Sequence, residues 1–194
     1  MTDGVRSFVA VPLPGPLQAR IFAAAQELAR ELPQSGIKWS RKVENLHITV
    51  KFLGPVGEDR LAEIGAALGA ALGGLPKFAI ELRGMGAFPS PRKAGVVWAG
   101  VDDATRGLNA VAQAVEGVGE RFGIAREQRP FTGHVTVGRC KGRGGVDARR
   151  ALDAFAGRAF GGTTVEEVHI YESQLGGEGS TYVLRSRAAL AASN

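Results

Sequence analysis

The sequence predicts a duplicated fold in which strands alternate with helices, of the α/β or α+β class. Apolar residues change repeatedly between the two-residue spacing of strands and the three- to four-residue spacing of helices. The order strand, helix, strand, helix, strand occurs twice, and the middle strand of each half carries a His-x-Thr pattern, first at His47 and Thr49 and again at His134 and Thr136. This repetition predicts two lobes related by a pseudo-twofold axis, with the two His-x-Thr strands meeting near it.

The approximate first half, residues 5–84, contains three predicted strands and two predicted helices. The strands are short runs rich in alternating apolar residues, and the prolines after the first run cannot continue a sheet ladder. The helices carry an apolar stripe and end at Pro33 and at Gly73–Gly74. The predicted ranges, in chain order, are 7–11, 17–32, 45–54, 58–72 and 77–82.

The approximate second half, residues 93–187, follows a turn-rich segment and repeats this order. The glycine-rich segments 142–146 and 176–180 have neither the Gly-Lys-Ser/Thr of a phosphate-binding loop nor the setting of a dinucleotide fingerprint, so we predict connecting loops there. The predicted strands and helices, in chain order, are 95–101, 103–122, 133–141, 147–155 and 164–171.

The composition is that of a soluble globular protein, with 194 residues, 44% of them hydrophobic and 22% charged, and we expect one bilobal domain over 1–194. The net charge of +5 fits an anionic partner such as nucleic acid, and equally an arginine-rich proteome. Cys140 is the only cysteine, which excludes an internal disulfide and a cysteine-based zinc site. Without a spanning apolar run or a signal peptide, we expect a cytoplasmic protein with no membrane partner.

The two His-x-Thr pairs have the geometry of a shared site. Residues two apart on a strand project from the same face, so each pair directs one imidazole and one hydroxyl to a common space. An imidazole gives or takes a proton near neutral pH, and a threonine hydroxyl donates to a phosphate oxygen. Opening a cyclic phosphodiester needs one base for water, one acid for the departing sugar oxygen, and donors for the phosphoryl oxygens. The constellation therefore predicts such a reaction without a metal or another cofactor.

Cations near both motifs would strengthen a phosphate site. Lys51 shares the alternation of His47 and Thr49, while Arg139 and Lys141 follow the second motif. The third histidine, His169, has no threonine two residues on and is expected to pack within a sheet. A metal site built from the three histidines lacks acidic or cysteine partners at ligand spacing, so no metal is predicted.

Five segments resemble the RNA 2′,3′-cyclic phosphodiesterase family, also called 2′-5′ RNA ligases, of the two-histidine phosphoesterase superfamily. The most specific are WSRKVENLHITVKFLG and RPFTGHVTVGRC, which hold the two motifs. RSFVAVPLP, GAFPSPRKAGVVWAGV and ESQLGGEGSTYVLRS extend the resemblance over nearly the whole chain. It implies a bilobal α+β fold of duplicated β-α-β-α-β halves, with two antiparallel-rich sheets flanking a central cleft and helices outside.

The resemblance also implies an activity, which is the opening of terminal 2′,3′-cyclic phosphates on RNA to leave a 2′-phosphate, with reversible 2′-5′ joining in some members. By motif, His47 would be the proton donor and His134 the proton acceptor, while Thr49 and Thr136 would bind the phosphate. Arg139 matches the arginine that closes the second motif and would also contact the phosphate. Its odd offset from the histidine turns it off the catalytic face, unless Gly138 forms a bulge or the strand ends there.

This chain departs from the family pattern at Gly133, where a proline commonly precedes the second histidine, and in the glycine-rich segment before Tyr182. Phe8 and Phe52 are candidates for stacking on a base, although strand aromatics more often pack in a core. Two alternatives remain. One is an enzyme acting on ADP-ribose 1″,2″-cyclic phosphate or 2′-5′ linked oligonucleotides, and the other is a non-catalytic module that binds RNA ends. We expect a monomer whose partner is RNA or a nucleotide bearing a 2′,3′-cyclic phosphate.

Overall fold

The computed structural model describes residues 4–33, 36–142, 144–177 and 179–191. Within these residues the chain forms nine strands and four helices, which confirms the predicted α+β class. The strands are β1 (Val5–Pro12), β2 (Ile37–Trp39), β3 (His47–Val56), β4 (Phe78–Phe88), β5 (Val96–Asp102), β6 (His134–Cys140), β7 (Ala159–Val165), β8 (Glu167–Gly176) and β9 (Gly179–Ala189). The helices are α1 (Gly15–Glu31), α2 (Glu58–Leu72), α3 (Gly107–Arg121) and α4 (Arg149–Asp153).

The strands form one antiparallel sheet in the order β7-β4-β5-β6-β3-β1-β8-β9, and the short β2 pairs with β6. The two predicted sheets are thus two groups of four strands, which join where β3 pairs with β6. The join is short, with Ile48 opposite Val135, and both side chains are fully buried. The two His-x-Thr strands therefore meet at the centre of the sheet.

The two groups exchange strands between the halves of the chain. β4, at the end of the first half, pairs with β5 and β7 of the second half. β8, near the end of the second half, pairs with β1. The division of the chain into repeats at 5–84 and 93–187 stays a prediction about the origin of the fold.

The helices cover the sheet face opposite to the histidines. Helix α3 packs against β3, α2 against β9 and α3, and α1 against β7. The core lies between these helices and the sheet, and its largest fully buried side chains include Ile21, Leu28, Ile64 and Leu68 from α1 and α2. No helix of the described residues is long and apolar enough to cross a membrane.

Helix α2 begins and ends where its apolar stripe predicts, whereas other boundaries differ. Helix α3 begins at Gly107, because the Asp103 carboxylate accepts a hydrogen bond from the Leu108 amide and holds the preceding turn. The strand predicted over 164–171 is the end of β7 and the beginning of β8. Within the predicted loop at 176–180, Gly176 and Gly179 pair as the last residues of β8 and the first of β9, beyond Leu175 opposite Ser180, and Glu178 lies outside the described residues.

Candidate active site

The two motif strands carry the same irregularity at the same place. In β3, Thr49 lies opposite Ala10 and Lys51 opposite Val9, so Val50 is an extra residue. In β6, Thr136 lies opposite Trp98 and Gly138 opposite Val97, so Val137 is the extra residue. Each β-bulge therefore falls three residues after the histidine.

The bulges decide which side chains reach the cleft. Beyond each bulge the alternation is reversed, so the residue four after the histidine turns inward and the residue five after it turns to the cleft. Lys51 and Gly138 are buried, whereas Phe52 and Arg139 are exposed and line the cleft. Arg139 therefore faces the cleft because of a bulge in β6, which is one of the two alternatives predicted for it.

The predicted position of Lys51 beside His47 and Thr49 is wrong because of the bulge in β3. Its side chain points towards α3, where the ammonium lies 2.7 Å from the Glu116 carboxylate. It also donates a hydrogen bond of 2.8 Å to the Ala125 carbonyl. Lys51 is only 6% exposed, and it lines the His134 arm with its ammonium bound to these two partners. Its contact with a phosphate stays a prediction.

His47 is held by its own strand and by a group of aromatic rings. Its Nδ1 lies 2.8 Å from the Asn45 carbonyl oxygen, and its Nε2 lies 2.9 Å from the Thr49 hydroxyl. Phe8 stacks on the imidazole with ring centroids 4.9 Å apart, and Tyr182 meets it edge-on at 5.3 Å. A carbonyl only accepts, so Nδ1 carries a proton and, in the neutral ring, Nε2 holds the lone pair.

His134 repeats this arrangement in the second motif. Its Nδ1 lies 2.8 Å from the carbonyl oxygen of Thr132, again two residues before the histidine. Phe88 contacts the ring edge-on with centroids 5.1 Å apart. The backbone thus fixes the same tautomer in both imidazoles, and each presents Nε2 as its reactive atom.

Burial favours the neutral form of both rings. It lowers the pKa of His47 to about 4, and the positive charges of Arg139 and His134 act in the same direction, against the hydrogen bond to Asn45. Burial and the charge of Arg139 also lower the pKa of His134. In the free protein at neutral pH the site therefore holds two neutral imidazoles beside one permanent cation.

The cleft has two arms that meet between the histidines. The His47 arm, about 550 Å³ in volume, includes His47 and the segment 38–42, which begins in β2. The His134 arm, about 300 Å³, includes His134 and the segment Ala125–Glu127. Four residues line both arms, which marks the junction: Thr49, Phe52, Thr136 and Arg139.

His169 lies outside the cleft, among buried sheet residues, and is 6% exposed. Its two ring nitrogens face the Tyr171 hydroxyl at 2.8 Å and the Glu167 carboxylate at 2.6 Å. Both polar atoms of the ring are thereby satisfied within β8. Among the described residues, no group of three histidine, cysteine, aspartate or glutamate side chains has the arrangement of a metal site.

Sequence reasoning missed several residues that contact the histidines or line the cleft. Phe88, Asn45 and Tyr182 come from segments with no catalytic pattern, and only the sheet order brings them to the histidines. Phe52 was predicted only as a candidate for base stacking, although its place in the cleft carried a readable signal, because it follows His47 at the same distance at which Arg139 follows His134. The basic run around Arg41 carried another, since its cations outnumber the acids nearby.

The sheet places one His-x-Thr pair on each side of a junction that contains Arg139. This arrangement defines an acid–base site for a phosphate ester. Comparisons with known proteins agree with this class. The family described as "LigT like Phosphoesterase" matches residues 11–98. An RNA 2′,3′-cyclic phosphodiesterase of Archaeoglobus fulgidus is 33% identical over 181 residues, covering 92% of this chain and 96% of the relative. One of Aeropyrum pernix is 36% identical over 140 residues, covering 72% and 78%.

Solved structures extend the likeness to the fold. The protein TT0787 of Thermus thermophilus superposes with a TM-score of 0.75 at 26% identity, covering 97% of this chain and 100% of that one. Escherichia coli LigT complexed with 3′-AMP superposes with a TM-score of 0.76 at 25% identity, covering 96% and 98%. The chain belongs to the LigT-like phosphoesterase family.

Proposed function

We propose that this protein hydrolyses 2′,3′-cyclic phosphodiester ends of RNA to 2′-phosphomonoesters, with one histidine as acid and the other as base. The observation that carries the proposal is the placement of the two histidines in opposite arms, with Thr49, Thr136 and Arg139 at the junction between them. Relatives that align with almost the whole chain bear the name of this activity. The two imidazoles supply both proton transfers, so the reaction needs no metal.

In the proposed reaction, water enters from the His134 arm and gives a proton to Nε2 of His134 while its oxygen bonds to phosphorus. The bond between phosphorus and O3′ breaks on the opposite side, and Nε2–H of His47 gives its proton to O3′. The product is a 2′-phosphate with a free 3′-hydroxyl. Thr49, Thr136 and Arg139 bind the non-bridging oxygens as charge builds up on them. If a 5′-hydroxyl replaces water in the same steps, the product is a 2′-5′ phosphodiester with a free 3′-hydroxyl, and the reverse of those steps cleaves that linkage.

The substrate itself supplies the charge state that the donor needs. With a pKa of about 4, His47 is neutral in the free protein at pH 7. A phosphodiester anion at the junction favours the imidazolium form of a neighbouring ring and raises its pKa. It also offsets Arg139, whose charge lowers the pKa of both histidines. We therefore expect His47 to take up its proton together with the substrate.

Alternative functions are less well supported. A module that only binds RNA ends would be served by lysine and arginine and does not need two imidazoles with fixed tautomers. An enzyme for ADP-ribose 1″,2″-cyclic phosphate would use the same junction, and E. coli LigT has been crystallised with NADP+. We further propose that the protein works as a cytoplasmic monomer on RNA, which fits its single cysteine and positive charge.

The test is incubation with a short RNA ending in a 2′,3′-cyclic phosphate, in excess chelator, followed by identification of the terminal phosphate. We expect a 2′-phosphate from the wild type and none from His47→Ala or His134→Ala, while affinity for the RNA is nearly kept. His169→Gln is the matched control, because it removes a histidine outside the cleft. A 3′-phosphate product would reverse the acid and base assignments, and turnover in either alanine variant would refute the two-histidine mechanism.

A further inference from the structure

The rim of the His47 arm is formed by cations. Arg6, Lys38, Arg41 and Lys42 line it, and Arg139 stands at its inner end. None of the described residues that line this arm is acidic. Such a group of unbalanced positive charges concentrates anions in the arm.

These four cations have no carboxylate partner among the described residues, unlike several exposed arginines elsewhere. Many exposed arginines, such as Arg126, Arg149 and Arg158, are paired with a carboxylate. Over the described parts of the chain, no carboxylate lies within salt-bridge distance of Arg6, Lys38, Arg41 or Lys42; the Lys42 ammonium donates instead to the Thr181 hydroxyl at 2.9 Å. The rim therefore presents charge that is available to a ligand.

The sheet places two of the cations side by side. Strand β2 pairs with β6 so that Lys38 lies directly opposite Arg139, and Trp39 lies opposite Gly138. A Cβ on Gly138 would come within 3.0 Å of the Trp39 ring, so the glycine permits this close pairing. Like charges directly opposite on neighbouring strands destabilise a sheet. An anion between Lys38 and Arg139 would remove that repulsion.

The reaction geometry indicates which anion. Attack from the His134 arm requires the leaving O3′, and with it the terminal ribose, to lie towards His47. The ribose carries the rest of an RNA strand through its 5′ oxygen. The next phosphodiesters therefore follow the wall of the His47 arm, where Lys38 and Arg41 are exposed.

We infer that the His47 arm binds the phosphodiester backbone of single-stranded RNA on the 5′ side of the cyclic phosphate, with Lys38 and Arg41 contacting its phosphates. This rests on the function proposed above and deepens it, because it makes an RNA strand a better substrate than a cyclic mononucleotide. Arg6 and Lys42 line the same arm and add to its positive charge.

The experiment compares kcat/KM for three substrates with the same terminal base: a pentanucleotide with a 2′,3′-cyclic end, the cyclic mononucleotide, and that mononucleotide with a 5′-diphosphate. The variant is Lys38→Gln with Arg41→Gln. The control is Arg30→Gln with Arg150→Gln, which removes the same charge from exposed positions on α1 and α4.

We expect the wild type to prefer the pentanucleotide and the variant to lose roughly fivefold to thirtyfold of that preference, as two exposed charge contacts would contribute. The slope of log(kcat/KM) against log[salt] for the pentanucleotide should become shallower by about 1.4. The control variant should keep the wild-type preference for the pentanucleotide and the wild-type salt slope. If the variant prefers the pentanucleotide as strongly as the wild type does, the inference is overturned. It is also overturned if the 5′-diphosphate raises kcat/KM of the mononucleotide as much as the RNA strand does, which would indicate a short polyphosphate ligand.

Failure of the proposed function has a different signature, namely no turnover of any substrate. The inference is then decided by fluorescence anisotropy with a labelled pentanucleotide that ends in a 3′-phosphate. Weaker binding by the Lys38→Gln/Arg41→Gln variant than by the control supports the arm as an RNA site. Equal affinities of the two overturn it.

Discussion

Replacing His47 with asparagine should make the protein less sensitive to mild acid. The wild-type imidazole has a pKa of about 4 when folded, against an ordinary value of 6.5. Between these values the unfolded chain binds more protons than the folded one at this site, so stability rises with pH across this window. The stability is lost as pH falls below 6.5, and the loss is complete near pH 4.

The magnitude follows from the two pKa values. At pH 5 the unfolded imidazole is mostly charged while the folded one is mostly neutral, which costs the folded state about 2 kcal/mol relative to pH 7. This value changes little with the folded pKa as long as that pKa stays below 5. An asparagine does not titrate, so the variant should not lose this roughly 2 kcal/mol of unfolding free energy. It should keep only the pH dependence that comes from the other titratable groups.

The assay is urea unfolding of both proteins at pH 7 and pH 5. The wild type should lose about 2 kcal/mol more than His47→Asn between the two. Proton NMR gives a direct check, because the His47 ring resonance should titrate near pH 4 and move to higher pH on addition of inorganic phosphate. Equal losses in the two proteins, or titration near 6.5, would refute the claim that burial keeps this imidazole neutral.

Three more predictions concern the surroundings of the histidines. Arg139→Gln should raise the pKa of both imidazoles, so the fall in rate on the acid side of the pH profile should begin at higher pH than in the wild type. It should also lower kcat roughly 10²- to 10³-fold. An acid limb at the wild-type pH would contradict the place of Arg139 at the junction. Lys51→Met should cost about 3 kcal/mol of unfolding free energy in urea unfolding, because the largely buried Glu116 carboxylate loses its ion-pair partner and keeps only the Glu127 amide, and Glu116→Leu in the same chain should restore much of it. Phe52→Ser should change stability by less than about 0.5 kcal/mol, since the ring is 65% exposed, yet weaken nucleotide binding by about 1–3 kcal/mol if the ring stacks on a base.

The sequence predicts the parts of this fold that depend on local periodicity. The apolar stripe of α2 predicts its boundaries, and the alternation around His47 and His134 predicts both motif strands. The strand β9 was missed because exposed polar residues interrupt its apolar pattern, and β2 because three residues carry too little pattern. Both strands form by pairing with partners elsewhere in the sheet, which a local pattern does not report.

The candidate site was predictable in its polar centre and not in its surroundings. His47, Thr49, His134 and Thr136 follow from strand alternation, which holds up to the bulges. Beyond Val50 the alternation reverses, and this alone misplaced Lys51. A bulge is a property of two paired strands, so neither strand shows it by itself.

The exchange of strands makes each half of the molecule dependent on the other. Without β4, strands β5 and β7 would lack the neighbour between them, and without β8, β1 would present an open edge to solvent. A cut in the connection between β4 and β5 would therefore yield two fragments that must dock to complete their sheets. Because each fragment carries one histidine of the cleft, catalysis would return only when the fragments associate, and turnover would report complementation of a split enzyme.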